Sequence, residues 1–256
     1  MSYITSGITG ITYAYNAIER DYCLEECIRS MLPICDEVIV VDCGSTDGTI
    51  ELIDSIDPKV RRIYHPFDLK SQGPRWLWKC INYARMQAKT PYILQLDADE
   101  LIHEADYDVI REHIWTGRPC RAWRHNFWID PQHELIEGRV VGTQVVRLAP
   151  QYYWLPSDEP HTPEPPVRVD AIPLAITGRR LRVFHYGFIR KLEAFVLKGK
   201  AMTEGYMGKP DDRLDIFLTQ GKSAFGHFVQ AKDVLDYTGT HPQLIHKWLI
   251  DRGHHL

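Results

Sequence analysis

No stretch of this chain is apolar for long enough to span a membrane, and its first ten residues, MSYITSGITG, lack a basic region followed by an apolar one. Neither a membrane-spanning protein nor a signal-peptide-led one is expected, and the reading is cytoplasmic. An excess of positive charge is also missing. The 30 Lys and Arg stand against 34 Asp and Glu, a formal net charge of −4 over 256 residues. That argues against a nucleic-acid coat and leaves a phosphorylated small molecule open as a partner. The six cysteines (Cys23, Cys27, Cys35, Cys43, Cys80, Cys120) include no C-x-x-C pair. The i, i+4 pair Cys23 and Cys27 brings no further zinc ligands, so free thiols in a reducing compartment are expected. Internal repeats and low-complexity segments are lacking too. What remains is globular composition, 44% hydrophobic and 25% charged, enough for a sizeable core in one α/β domain with a C-terminal extension.

One stretch organises the rest. Residues 92–96 (YILQL) form an apolar run that ends in Asp97-Ala98-Asp99-Glu100, which reads as a buried strand with carboxylates at its carboxyl end. That edge of an open α/β sheet is where ligands bind. Two aspartates flanking one small residue suit a hard divalent cation, Mg²⁺ or Mn²⁺, that also takes oxygens from substrate phosphates. Alone, a D-x-D reads equally well as a solvated acidic turn or a helix N-cap; the preceding sequence decides. Residues 8–15 (ITGITYAY) predict a first strand, 19–32 a helix closed by Pro33, and 37–42 (EVIVVD) a second strand ending in Asp42. The glycine-rich turn 43–49 (CGSTDGT) leads into a helix over 49–56, with Thr46 or Asp47 as its cap. A short strand over 60–64 and a helix over 73–89, with Pro74 in its first turn, complete the run. Four strand–helix alternations before residue 100 mean a mainly parallel sheet. Asp42 and Asp97 end strands at the same edge, beside a loop rich in backbone N–H donors.

Past residue 120 the pattern changes. Strands are predicted over 121–129 and 138–148, with 130–137 as their connection. A proline-rich loop follows over 151–167; loops this long in compact domains are usually functional. A strand over 181–186 ends at His185. From about residue 190 the periodicity turns helical, with a last short helix over 241–251. The expected division is therefore 1–189, a nucleotide-binding and catalytic domain, and 190–256, a helical extension packed on it.

The segments VVDCGSTDGT (40–49) and LDADE (96–100), with Tyr15-Asn16 ending the first strand and Gly73-Pro74-Arg75 opening the helix before the D-x-D strand, resemble family 2 glycosyltransferases of the GT-A fold. The LDADE variant is similar to bacterial lipopolysaccharide-core sugar transferases and to phage-encoded members. The resemblance covers about residues 8–150, and His185-Tyr186-Gly187-Phe188 is similar to a segment of some members. It implies a Rossmann-like, mainly parallel sheet flanked by helices. It also implies a metal-dependent inverting transfer of sugar from a nucleotide diphosphate-sugar, UDP-linked by default, to a hydroxyl acceptor on a glycan or lipid-linked glycan. Tyr13, Tyr15, Asn16 and Asp42 would hold base and ribose, Arg75 the phosphates, and Asp97 with Ala98 the ribose. Asp99, with Asp97, would bind Mn²⁺ or Mg²⁺, and His185 would complete the metal shell. Cys43 stands where many members carry an aspartate that contacts the base, so the base is left open.

Inverting transfer needs a carboxylate to deprotonate the acceptor. Glu159 is favoured, then Asp158, with Glu164 and Asp130 behind them; a solvated acidic loop is the plain alternative. His161 is a weaker ligand candidate. Trp123, Trp128 and Trp154 are placed to stack a sugar ring, although core packing is the ordinary use of such residues, as it is for Trp76 and Trp78. Arg179, Arg180 and Arg182 read as a solvated basic face. Other readings are a phage enzyme acting on modified DNA bases or a virion protein, a sugar-nucleotide nucleotidyltransferase, and a non-catalytic nucleotide-sugar-binding protein. Against the nucleotidyltransferase, Asn16-Ala17-Ile18-Glu19 stands where such enzymes carry a glycine-rich basic signature.

Overall fold

The computed structural model describes residues 7–66, 76–137, 140–141, 143–151, 181–191, 193–197 and 234–255. Its first half is built from β1 (Ile8–Ala14), α1 (Leu24–Met31), β2 (Glu37–Asp42), α2 (Thr49–Ile56), β3 (Val60–Tyr64), α3 (Trp76–Gln87) and β4 (Tyr92–Gln95). β5 (Glu100–Ile102), α4 (Tyr107–His113), β6 (Cys120–Trp128), β7 (Asp130–Glu137), β8 (Val140–Val141), β9 (Thr143–Pro150), β10 (Arg182–His185), β11 (Val234–Asp236) and α5 (Ile245–Ile250) follow.

The path through the sheet runs β11-β7-β6-β9-β4-β1-β2-β3, with β10 joining β6 to β5 and β8 pairing β7. β3, β2, β1 and β4 are mutually parallel, whereas the pairs β4–β9, β9–β6, β6–β7 and β7–β11 are antiparallel. The β-branched run of β2 is buried from Val38 to Asp42, as expected of a strand covered on both faces. Alternate residues serve two cores. Ile8, Val38, Val40 and Leu94 face α1 and α2, while Ile11, Ile39, Val41 and Ile93 face Cys80, Ile81 and Ala84 of α3. In α1, Leu24, Cys27, Ile28 and Met31 supply the i, i+3, i+4, i+7 buried stripe. Met31 Sδ would stand 3.0 Å from a Cβ at residue 10, so Gly10 lets α1 sit close on β1.

The register sets the functional edge. Ala14 lies opposite Asp42, so β1 and β2 end level; Gln95 lies opposite Ile11 and Leu96 N donates to Ile11 O at 3.0 Å, so the turn after β4 runs alongside the end of β1. The first helix begins at Leu24 and not at residue 19 because Asn16 (φ 48°) and Asp21 (φ 53°) adopt left-handed backbone, which cannot continue a helix. Residues 130–137, expected as a connection, form β7, paired with β6 on one side and β11 on the other.

After residue 190 the described residues join the same body. β11 extends the sheet, and Ile245, Trp248 and Leu249 of α5 pack with Phe127, Phe184 and Tyr186. Asp21 and Arg252 form an ion pair that ties the C-terminal segment to the loop before α1, and Arg252 lies 3.6 Å over the Trp248 ring. All six cysteines are buried free thiols. No helix among the described residues is long and apolar enough to cross a membrane.

Candidate active site

After β4 the chain turns through Asp97-Ala98-Asp99 and re-enters the sheet as β5. Glu100 N donates to Asp97 O at 2.9 Å, and Asp97 N donates to the Glu100 carboxylate at 3.0 Å, closing the turn from both ends. Tyr186 N holds Asp99 O at 2.9 Å. This places the segment after β10 directly against the turn.

Each carboxylate here meets an arginine from elsewhere. Arg147 of β9 donates to Asp97 Oδ2 at 2.7 Å and to Glu100 Oε1 at 2.6 Å. Arg124 of β6 adds a contact to Glu100 Oε1 at 3.1 Å. Arg190 reaches Asp99 Oδ2 at 2.5 Å. Burial raises the Glu100 carboxyl against the pull of Arg147. For Arg147 burial works against the charge, and Asp97 and Glu100 overcome it, holding the guanidinium above its ordinary range. Buried charges persist only when paired this way.

His185 Nε2 lies 3.6 Å from Asp99 Oδ1. His185 ends β10 and Asp99 immediately precedes β5, and the His185–Glu100 register of these two strands brings them together. Between them sits Gly187, where a Cβ would stand 2.7 Å from Asp99 Oδ2 and closer still to His185 Nε2. Tyr13 OH donates to Asp97 Oδ1 at 3.4 Å.

Beside the turn lies the β2–α2 loop. Asp42, only 1% exposed, accepts Ser45 N on Oδ1 at 3.0 Å, while its Oδ2 is buried with no hydrogen-bond partner among the described residues. A buried carboxylate oxygen without a donor is costly, so a ligand N–H or O–H is its natural complement. The loop is held by side chains. Asn16 Oδ1 accepts Thr46 N at 2.9 Å and its amide donates to Glu19 at 3.0 Å. Thr49 Oγ1 accepts Ala17 N at 2.8 Å, and Asp47 accepts Glu19 N at 2.7 Å. Gly48, at φ 92°, supplies the left-handed step into α2. Against partial burial, the Glu19 and Thr49 groups hold Asp47 below the usual carboxylate range.

The structure therefore brings Tyr13, Asp42, Asp97, Ala98, Asp99 and His185 to one end of the sheet. Tyr15 lies beside them with the Arg20 guanidinium 5.0 Å over its ring. Asn16 spends its side chain joining two loops. The Cys43 thiol faces Cys80 Sγ at 3.2 Å. Asp130 pairs with His133 at 2.7 Å, and Trp128 is buried against Phe188, ring centroids 5.0 Å apart. Trp123 lies in β6, and Trp76 and Trp78 in the first turn of α3. Arg182 is not a solvated cation: its guanidinium grips buried Asp106 at 2.8 Å and 2.9 Å. Arg75, Trp154, Asp158, Glu159, His161, Glu164, Arg179 and Arg180 lie outside the described residues. Arg147, Arg190 and Gly187 were not anticipated as site residues.

The donor set fits a divalent cation of the Mg²⁺ or Mn²⁺ type. Ligands at adjacent corners of an octahedron with ~2.1 Å bonds stand roughly 3.0 Å apart, so Asp99 Oδ1 and His185 Nε2 need close only slightly. No group of three His, Cys, Asp or Glu side chains is assembled as a metal cage among the described residues.

Residues 11–118 match the model of the family described as Glycosyl transferase family 2. A curated relative, the lipopolysaccharide core biosynthesis glycosyltransferase LpsC of Rhizobium meliloti (strain 1021), is 33% identical over 104 residues, which are 40% of this chain and 36% of that protein. The chain thus spans about a third of the length of the curated relative it matches. Among solved structures it is similar to S. aureus TarS 1–349 in complex with UDP, with TM-score 0.46 and 14% identity over 87% of this chain and 72% of that one. It is also similar to the Pyrobaculum calidifontis mannosyltransferase PcManGT in complex with GDP-Man and Mn²⁺, with TM-score 0.34 and 22% identity over 47% of this chain and 35% of that one.

Proposed function

We propose, from the match of residues 11–118 to the glycosyl transferase family 2 model, that the chain transfers a sugar, with inversion, from a nucleotide diphosphate donor to a hydroxyl acceptor. We take the donor as UDP-linked and the acceptor as a bacterial surface glycan. The observation that carries this reading is the shared edge. Asp42 offers an unsatisfied, buried acceptor, while Asp97 and Asp99 stand one strand-end away at the mouth of the same parallel sheet. That spacing suits a ligand with a base or ribose at one end and phosphates at the other.

In this mechanism Asp42 Oδ2 accepts from the base or ribose and fixes the donor's register. Asp97 and Asp99, with His185, would hold Mg²⁺ or Mn²⁺. The cation, when bound, neutralises the leaving diphosphate as a Lewis acid. Tyr13 and Arg147 keep Asp97 oriented, one on each carboxylate oxygen. Positioning of donor and acceptor supplies much of the rate, and Glu159 or Asp158 is assigned as the base that takes the acceptor proton. The surface-glycan acceptor follows the name of the R. meliloti relative.

Thermal unfolding with UDP, GDP, CMP or dTDP, each with Mn²⁺ or with EDTA, tests the donor class. Ligand at about a hundred times its Kd adds roughly 2.7 kcal/mol, a shift of about 5–10 °C at this size. One nucleotide is expected to give that shift, and only with metal. No shift with any of them refutes the reading.

A further inference from the structure

We propose that Arg190 is a fixed counter-ion of Asp99, a positioning residue that makes cation binding at the D-x-D turn depend on the donor's diphosphate. This deepens the functional reading above and rests on it. Arg190 is 5% exposed and is held on every side. It donates to Gly187 O at 2.7 Å, to Arg20 O at 2.7 Å and to Asp99 Oδ2 at 2.5 Å, and it stands 3.9 Å over the Tyr22 ring. Three of these four contacts do not involve Asp99, so the guanidinium stays put whatever Asp99 does.

A cation at bonding distance from Asp99 therefore approaches a stationary positive charge in a buried site, where repulsion is poorly screened. The same holds at Asp97, whose Oδ2 is already bonded to Arg147. With Glu100 shared between Arg147 and Arg124, the three carboxylates of the turn meet three guanidiniums. Little negative charge is left over for a lone divalent ion. A diphosphate brings the missing charge, and cation and nucleotide then enter as a pair.

Mn²⁺ binding, followed by loss of the free-ion electron paramagnetic resonance signal, tests this in wild type, Arg190→Gln and Arg190→Lys, with and without UDP or GDP. Wild type is expected to bind Mn²⁺ at least tenfold more tightly with its nucleotide than alone. Arg190→Gln should bind Mn²⁺ alone at least tenfold more tightly than wild type, and Arg190→Lys, which keeps the charge, within about threefold of it. Should Arg190→Gln not fold, the wild-type arginine side-chain ¹⁵N spectrum, assigned with Arg190→Lys, gives the second reading. The Arg190 signals should move with Mg²⁺ plus nucleotide and stay still with Mg²⁺ alone. Equal Mn²⁺ affinity of wild type and Arg190→Gln, or movement of the signals with Mg²⁺ alone, overturns the counter-ion and leaves the functional reading standing. Failure of every nucleotide to promote Mn²⁺ binding overturns both.

Discussion

Asp42→Asn separates recognition from architecture. The carboxylate is 1% exposed; Oδ1 accepts Ser45 N at 3.0 Å, and Oδ2 is buried with no donor among the described residues. Asparagine keeps the Oδ1 bond and replaces the orphaned oxygen by an amide of the same size. If Oδ2 accepts a hydrogen bond from the donor's base or ribose, the exchange removes a charge-assisted bond. Such bonds contribute about 1.5–3 kcal/mol, roughly a 10- to 150-fold loss of affinity. The ligand-free protein should lose little by it, because one buried polar atom without a partner is exchanged for another; its stability should change by less than about 1 kcal/mol. Isothermal titration of the preferred nucleotide with Mn²⁺, beside urea unfolding without ligand, reads both quantities. Unchanged affinity with a marked loss of stability would show that Asp42 serves the fold alone and would refute the reasoning.

Other expectations follow from single contacts. Gly187→Ala places a methyl against His185 and Asp99, so cation-dependent nucleotide affinity should fall at least tenfold in the same titration. Asp106→Asn breaks the buried grip on Arg182. At the opposite end of β10 from His185, it should lower the unfolding midpoint by about 5–10 °C, the effect of roughly 2–3 kcal/mol at this size, and leave nucleotide affinity unchanged. His241 is held neutral: burial pushes it down to about 4, its Nδ1 meets Tyr186 OH at 2.8 Å and its Nε2 meets Pro131 O at 2.9 Å. The unfolded chain therefore binds this proton first, and stability should fall as pH drops from about 6.5 toward 4, by about 2 kcal/mol after allowing for partial exposure. In His241→Gln, unfolding followed against pH should show a shallower slope across that window.

Much of the first half of the chain could be read from the sequence. β2, α2 and β3 begin and end at the expected residues, since EVIVVD is apolar on both faces and Gly48 permits one local turn. The start of α1 was misplaced because two left-handed residues, Asn16 and Asp21, look in sequence like ordinary helix-entry polars. β7 escaped notice because DPQHELIE has a proline at its second position and carries charge, while its strand character comes from pairing with β6 and β11. Glu100-Leu101-Ile102 is too short to show a period. The counter-ions were hidden for another reason. Arg147 meets Asp97 across 50 residues and Arg190 meets Asp99 across 91, and local patterns carry no such pairing. One signal was there: an arginine inside the apolar strand TQVVRLAP needs a buried carboxylate.

Turnover bears most directly on the central claim. UDP-GlcNAc, UDP-Glc, UDP-Gal and GDP-Man are incubated with the purified chain, in Mn²⁺ or in EDTA, and the released nucleoside diphosphate is measured for wild type and Asp99→Asn. Release from one donor, abolished by EDTA and reduced at least a hundredfold in Asp99→Asn, is the expected result. Release that is indifferent to Asp99, or none from any donor together with no nucleotide binding, would contradict the assignment of the D-x-D turn as the site of sugar transfer.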